Sequence, residues 1–193
     1  SVEEEEAKTA FELAMERISG MPKLTPEEKA EQKEKEFTPI GIGMAVKYMD
    51  GKLDGPDLPD ELNRYSGDQQ PIVRRALIAS LCRELRLDNG KGLVKRALNG
   101  IAQITSDKPD AVAETEKSFL KIVVEFEPAK TAKLREFETT AAEAINALGI
   151  SGSAIRLNLT ENALWKHEQA ELQRTFEPRI DKLVSGLQDA SVR

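Results

Sequence analysis

The stretch PDAVAETEKSFLKIVVEFEPAKTAKLREFETTAAEAINAL, Pro109 to Leu148, carries the longest apolar seam in the chain, and its reading decides the fold. Val112, Phe119, Val123 and Phe126 recur at intervals of three to seven residues, and Leu134, Phe137, Ala141, Ile145 and Leu148 continue the series beyond Pro128. Spacings of three and four place such side chains on one face of a helix. Lys117, Lys121, Lys130, Lys133, Glu114, Glu136 and Glu143 fall mostly off that face. The segment therefore reads as one helix, or two coaxial ones, whose stripe other helices must cover. Ile122-Val123-Val124 also suits a short strand, but the surrounding period favours helix.

Outward from this stretch the periodicity stays helical. Val73, Leu77, Leu81 and Leu85 recur every fourth residue from Asp68 to Leu87, Asp88-Asn89-Gly90-Lys91-Gly92 breaks the run, and Leu93 to Ile104 supplies a second amphipathic segment. Residues 68–106 thus form a helical hairpin. Upstream, Glu3 to Ser19 is a helix with Phe11, Ala14, Met15 and Ile18 on one face. Thr25-Pro26-Glu27-Glu28 is a strong helix start, combining a capping Thr, Pro at the first helical position and Glu three residues after the cap. The helix it opens runs to Glu36, and Thr38-Pro39 starts another that ends near Met49. Gly41 and Gly43 weaken that second helix by about 1 kcal/mol each relative to Ala. Downstream, residues 150–158 form an irregular connection, and Thr160 to Gln188 is a last helix bearing Trp165, Phe176 and Ile180. Phe126-Glu127-Pro128 and Phe176-Glu177-Pro178 match each other fifty residues apart, but their flanks align only with a gap, so the match reads as coincidence.

The expected fold is an all-α helical bundle of six or seven helices, with one long central helix and a helical hairpin. Residues 1–50 read as an N-terminal helical arm, 51–67 as a Gly/Pro-rich linker, and 68–193 as the core domain. Composition agrees: 39% of the 193 residues are apolar, enough for a core, while six Phe, two Tyr and one Trp are too few aromatics for a β-sandwich. The single cysteine, Cys82, precludes an intrachain disulfide and suits a reducing compartment. The N-terminus, Ser1-Val2-Glu3-Glu4-Glu5-Glu6, has the wrong charge for a signal peptide, and no stretch approaches the ~18 apolar residues a membrane helix needs. Cytoplasm is the expected location, although the absence of an initiator Met leaves a removed leader open.

The chemistry-bearing patterns are weak. Asp50, Asp54, Gly55 and Glu61 fit the first, fifth, sixth and twelfth places of a calcium-binding loop, where carboxylates ligate the ion and Gly makes the turn. Lys52 puts a cation at the third place, however, and Pro56 and Pro59 interrupt the rest, so a solvated linker is the better reading. His167-Glu168 starts a zinc-peptidase pattern that Glu171 breaks where the second histidine belongs. Gly90-Lys91-Gly92 lacks the remainder of a phosphate loop, and Gly149, Ser151, Gly152 and Ser153 miss the nucleophile-elbow spacing. Cys82, among apolar neighbours, reads as a small buried residue.

Charge is distributed unevenly. The net charge of −6 argues against nucleic acid as the partner, since phosphate binding needs a local cationic surplus. Yet residues 1–36 hold eleven Glu against six Lys or Arg, and residues 71–98 hold seven Lys or Arg against two acids. These two stretches suit each other as partners.

Three stretches, Lys8 to Arg17, Lys23 to Glu28 and Gly149 to Ala154, together resemble an uncharacterised family of bacterial helical proteins, a domain of unknown function. The resemblance implies a bacterial, cytosolic protein and assigns no activity or site residue.

The leading expectation is a non-enzymatic helical interaction module, adaptor or chaperone-like, with a protein partner or a homodimer and no cofactor. Its contact faces are Phe11, Met15 and Ile18, and the long-helix seam at Phe119, Phe126 and Phe137. One alternative is nucleic-acid binding through Arg74, Arg75, Lys95 and Arg96. A second is a metal-dependent enzyme using Asp50, Asp54 and Glu61, with Asp57 and Asp60 nearby. Calorimetric titration with calcium is expected to show no heat above dilution; saturable binding would instead sustain the loop as a site.

Overall fold

The structure, a computed structural model, describes residues 9–150 and 161–192. Among these residues all the regular structure is helical, with no strand: α1 (Ala10–Gly20), α2 (Pro26–Met49), α3 (Asp57–Leu62), α4 (Gln69–Cys82), α5 (Lys91–Ile104), α6 (Pro109–Ala147) and α7 (Ala163–Val192). The helical bundle, its hairpin (α4 and α5) and its long helix (α6) are as the periodicity predicts. The helix expected over Glu3 to Ser19 begins only at Ala10, because Thr9 is extended and caps it; residues 1–8, the connection after Ile150, and Ser151, Gly152 and Ser153 of the nucleophile-elbow pattern lie outside the described residues.

Two compact units make up the chain, residues 1–36 and residues 37–193. In the first, Thr9 and Glu12 form a reciprocal cap on α1: the Thr9 hydroxyl accepts from the Glu12 N–H at 3.2 Å, and the Glu12 carboxylate accepts from the Thr9 N–H at 2.7 Å. Thr25 and Glu28 repeat the device at the start of α2, at 3.1 and 2.8 Å.

The boundary falls within α2, whereas the sequence reading places it in the loop after Met49. Residues 26–49 form one helix through Pro39, not two. Its C-terminal part is core: Met44, Ala45 and Tyr48 are buried. A Cβ on Gly41 would lie 2.3 Å from the Val73 carbonyl oxygen and 2.7 Å from the Ala76 Cβ, so the absence of a side chain is what lets α2 lie against α4. Gly100 does the same on α5, where a Cβ would meet the Tyr48 ring at 2.5 Å. These contacts hold α2 helical across Pro39, whose missing N–H costs one backbone hydrogen bond.

Residues 51–67 are not a solvated linker. Gly51, at φ +75°, ends α2 with Lys52 N–H bonded to the Lys47 carbonyl at 2.8 Å and its own N–H to that of Tyr48 at 3.0 Å. This pair of bonds is the glycine-terminated helix stop that satisfies carbonyls otherwise left orphaned. α3 then buries Leu58 and Leu62 completely or nearly so, at 0% and 4% exposure. Gly and Pro mark tight turns here, and a tight turn can be as well packed as a helix.

In the hairpin, α4 stops at Cys82, before the expected Leu87, and the chain turns through three-residue bonds from Glu84 to Leu81 and from Leu85 to Cys82. Asn89 holds this turn by donating its amide to the Glu84 carbonyl at 2.8 Å. Leu85 thereby stays in the core at 2% exposure.

α6 runs unbroken for 39 residues, about 58 Å at the usual rise, straight through Pro128. Pro128 and Val124, the residue whose carbonyl its ring leaves unbonded, both lie on the exposed face, where water can satisfy that carbonyl. α7 packs antiparallel along it. Phe126 meets Phe176 edge-on at 5.4 Å, Phe137 meets Trp165 at 5.9 Å, and Lys108 donates to the Ala190 carbonyl at 2.8 Å. The two Phe-Glu-Pro triplets thus face each other across the helix pair. α4 and α5 complete the core against the Val112 to Phe126 half of α6 and the C-terminal half of α7. Beyond Phe126 the stripe meets α7, at Phe137 against Trp165, and Leu134, Phe137, Ala141 and Ile145 are half-buried. No described helix is long and apolar enough to cross a membrane.

The two α2 glycines are expected to respond oppositely to alanine in urea denaturation. Gly41→Ala should destabilise by about 1 to 3 kcal/mol through overpacking against α4. Gly43→Ala, with nothing within 4 Å of the new methyl, should stabilise by about 0.5 to 1 kcal/mol by restricting the unfolded backbone.

Candidate interaction surfaces

α1 is the most exposed apolar element. Its eleven residues bury no side chain, and Phe11, Met15 and Ile18 are 73%, 50% and 62% exposed. Leu13, Met21 and Leu24 add further exposed apolar surface. An isolated helix shorter than about 12 residues is marginal in water even when capped, and α1 carries its cap with no residue buried. The cap also acts on charge: bonding to the Thr9 backbone and hydroxyl lowers the Glu12 pKa below the ordinary carboxylate value.

The long-helix seam divides differently from the sequence reading. Phe119 and Phe126 are 3% and 1% exposed, covered by the chain's own core and α7, so their rings are no outer contact face. The reason is register: the antiparallel return of α7 places Phe176, Ile180 and Leu187 along that half of the stripe, which one helix read alone cannot reveal. Phe137 is half-buried against Trp165 and keeps an open edge.

The four basic residues of the nucleic-acid alternative serve separate ends. Arg96 donates through Nε to the Tyr48 carbonyl at 2.8 Å, and its guanidinium lies 4.6 Å over the Tyr48 ring, while the Tyr48 hydroxyl donates to the Arg96 carbonyl at 2.7 Å. Burial raises the Tyr48 pKa, opposed in part by the Arg96 charge, so the phenol remains the donor. Arg96 thus caps the end of α2. Arg74 donates to the Ser191 carbonyl of α7 at 3.4 Å. Arg75 and Lys95 are exposed. Elsewhere in the hairpin, Arg86 grips Asp88, and that hydrogen bond holds the Asp88 pKa below the ordinary value.

The acidic loop does not converge. Asp50 pairs with Lys52 at 3.6 Å and Glu61 with Arg64 at 3.0 Å, while Asp54 gives its backbone carbonyl to the Asp57 N–H at 3.1 Å. Among the described residues no three His, Cys, Asp or Glu side chains come close enough to hold a metal ion. His167 is exposed on α7. Cys82 is buried in the core, and burial pushes its thiol up to about 12. It is therefore protonated at neutral pH and has no thiolate with which to attack.

A feature that no sequence motif marks lies between the α4–α5 turn, α5 and the first half of α6. It is a groove of about 290 Å³ with Val94, Leu98, Phe119 and Val123 in its floor. Lys91 and Lys95 stand along its α5 rim, and Glu116 and Glu127 along its α6 rim. The sequence signal was the basic surplus of residues 71–98, but only the packing of α5 on α6 sets acids opposite those lysines. Comparison of the chain with protein-family models, curated proteins and solved structures finds no match.

Stability is expected to fall with pH in a way that Cys82 controls. The folded thiol keeps its proton to about pH 12, whereas the unfolded one releases it near 9. The unfolded state therefore binds fewer protons in that window, and stability should drop by about 1.4 kcal/mol per pH unit as pH rises through it. Urea midpoints compared between the wild type and Cys82→Ala check this: the excess alkaline slope should be absent from the variant.

Proposed function

We propose that this protein is a non-enzymatic helical interaction module, adaptor or chaperone-like, that engages a protein partner through α1. The observation that carries this reading is the capped helix with Phe11, Met15 and Ile18 on one face and no residue buried. Helix-in-groove recognition uses such anchors, spaced by one turn and then by nearly two, against an apolar cleft. Exposed contiguous apolar surface of this kind marks interaction sites more often than chance. The half-covered part of α6 around Phe137 is a second candidate contact, since Leu134, Ala141 and Ile145 share its partial exposure. The buried, protonated Cys82 suits a reducing, cytoplasmic setting, and a bacterial origin accords with the resemblance of the α1, α2 and Gly149 stretches. Nucleic acid is disfavoured, because Arg96 and Arg74 spend their donors on backbone carbonyls.

Affinity capture from native lysate, read by mass spectrometry, tests the reading with a triple substitution of Phe11→Ser, Met15→Ser and Ile18→Ser. Substitutions at exposed positions away from any buried contact change stability by only about 0.5 kcal/mol or less, so folding should be retained by circular dichroism. The wild type should hold specific proteins that the triple variant loses. The same set of proteins on both would sink the assignment of α1.

A further inference from the structure

We propose that the groove between α5 and α6 is the receptor for α1 of a second copy of this chain. This deepens the preceding reading by naming the partner and the place where it docks.

Size is the first argument. About 290 Å³ lies at the bottom of the range for small-molecule pockets. It suits one or two anchoring side chains from a helix lying across it. Its floor of Val94, Leu98, Phe119 and Val123 is apolar, and Leu120, at 46% exposure, extends that surface outward. Phe11, Met15 and Ile18 are the matching anchors, each at least half exposed on a helix that buries none of its own residues.

Charge is the second argument, and it selects both the occupant and its direction. With Phe11, Met15 and Ile18 facing down, the 3.6-residue period puts Glu12 and Glu16 on one flank of α1 and Arg17 on the other. The groove has Lys91 and Lys95 on one rim and Glu116 and Glu127 on the other. Glu12 and Glu16 are one helical turn apart, as are Lys91 and Lys95. Only one of the two directions in which a helix can lie in the groove brings the acidic flank to the lysines and Arg17 to the glutamates. The reverse direction sets like charges together on both rims, which opposes binding. The same complementarity exists at larger scale, since the eleven Glu of residues 1–36 oppose the basic surplus of residues 71–98. When two copies exchange α1 reciprocally, the contact closes into a twofold dimer and leaves no open end.

Two exposed positions allow a direct test, because the native Cys82 is buried and inert. Met15→Cys and Leu120→Cys are made in separate full-length chains, mixed, and oxidised. A disulfide-linked dimer carrying one of each is expected, together with a concentration-dependent dimer of the unmodified chain by sedimentation velocity. Lys91→Glu with Lys95→Glu should weaken that dimer by roughly tenfold or more, with a loss that high salt reduces. Glu16→Lys added to the pair should restore part of the affinity. A chain that stays monomeric at all accessible concentrations overturns the proposal. So does a chain carrying both cysteines that closes the disulfide only within itself. If α1 captures another protein while the chain stays monomeric, this inference fails and the preceding reading stands. If the triple serine substitution of α1 changes neither capture nor self-association, both fail.

Discussion

The edge-on contact between Phe126 and Phe176 at 5.4 Å is the constraint on which the rest of the second unit depends. It sets the register of α7 against α6, and the cross-helix pair of Glu125 with Arg179 lies beside it. The carboxylate of that pair is held below its ordinary pKa chiefly by its hydrogen bond to the guanidinium, but both partners are exposed, so the rings supply most of the energy. Buried phenylalanines contribute about 3 to 5 kcal/mol when judged by truncation. With the register set there, Ile180 and Leu187 reach the core and Ser191 comes within range of Arg74.

A second constraint is the closeness of α2 to its neighbours. Gly41 and Gly100 remove the side chains that would otherwise hold α2 away from α4 and α5, and Arg96 then bonds the carbonyl of Tyr48 near the α2 end. A glycine in mid-helix costs propensity in isolation. Here the cost is offset by the packing it permits. The arginine that looks, in a linear reading, like part of a phosphate-binding cluster is committed to terminating a helix.

These two constraints shape what the surface can do. Once the core has used Phe119, Phe126 and Trp165, the exposed large apolar side chains among the described residues include those of α1, Val46 on α2, Leu120 and Val124 on α6, and Leu148 and Leu164. The charged residues sort in the same way: Arg74 and Arg96 turn inward to backbone carbonyls, while Lys91 and Lys95 stay on the rim of an apolar groove. The acidic amphipathic helix and the partly basic groove are the two surfaces on which the proposed self-association rests.

What the sequence by itself determined was local. The helical period of Val73 to Leu81, the cap at Thr25 and the amphipathic face of α1 depend on residues within a turn or two of each other, whereas the cap at Thr9 falls inside the helix that the sequence reading starts at Glu3. The start of α6 at Pro109 was legible for the same reason. Tertiary structure alone decided which apolar faces are covered, because coverage depends on residues far apart in the chain. Phe119 and Phe11 look alike in sequence, and α7 together with the core makes one 3% exposed while the other stays at 73%. It likewise turned the Gly/Pro segment 51–67 into core through Leu58 and Leu62, fused two expected helices across Pro39, and set Glu116 opposite Lys91 and Lys95. Helix periodicity reports which side of a rod is apolar. Only the packing of rods reports what that side touches.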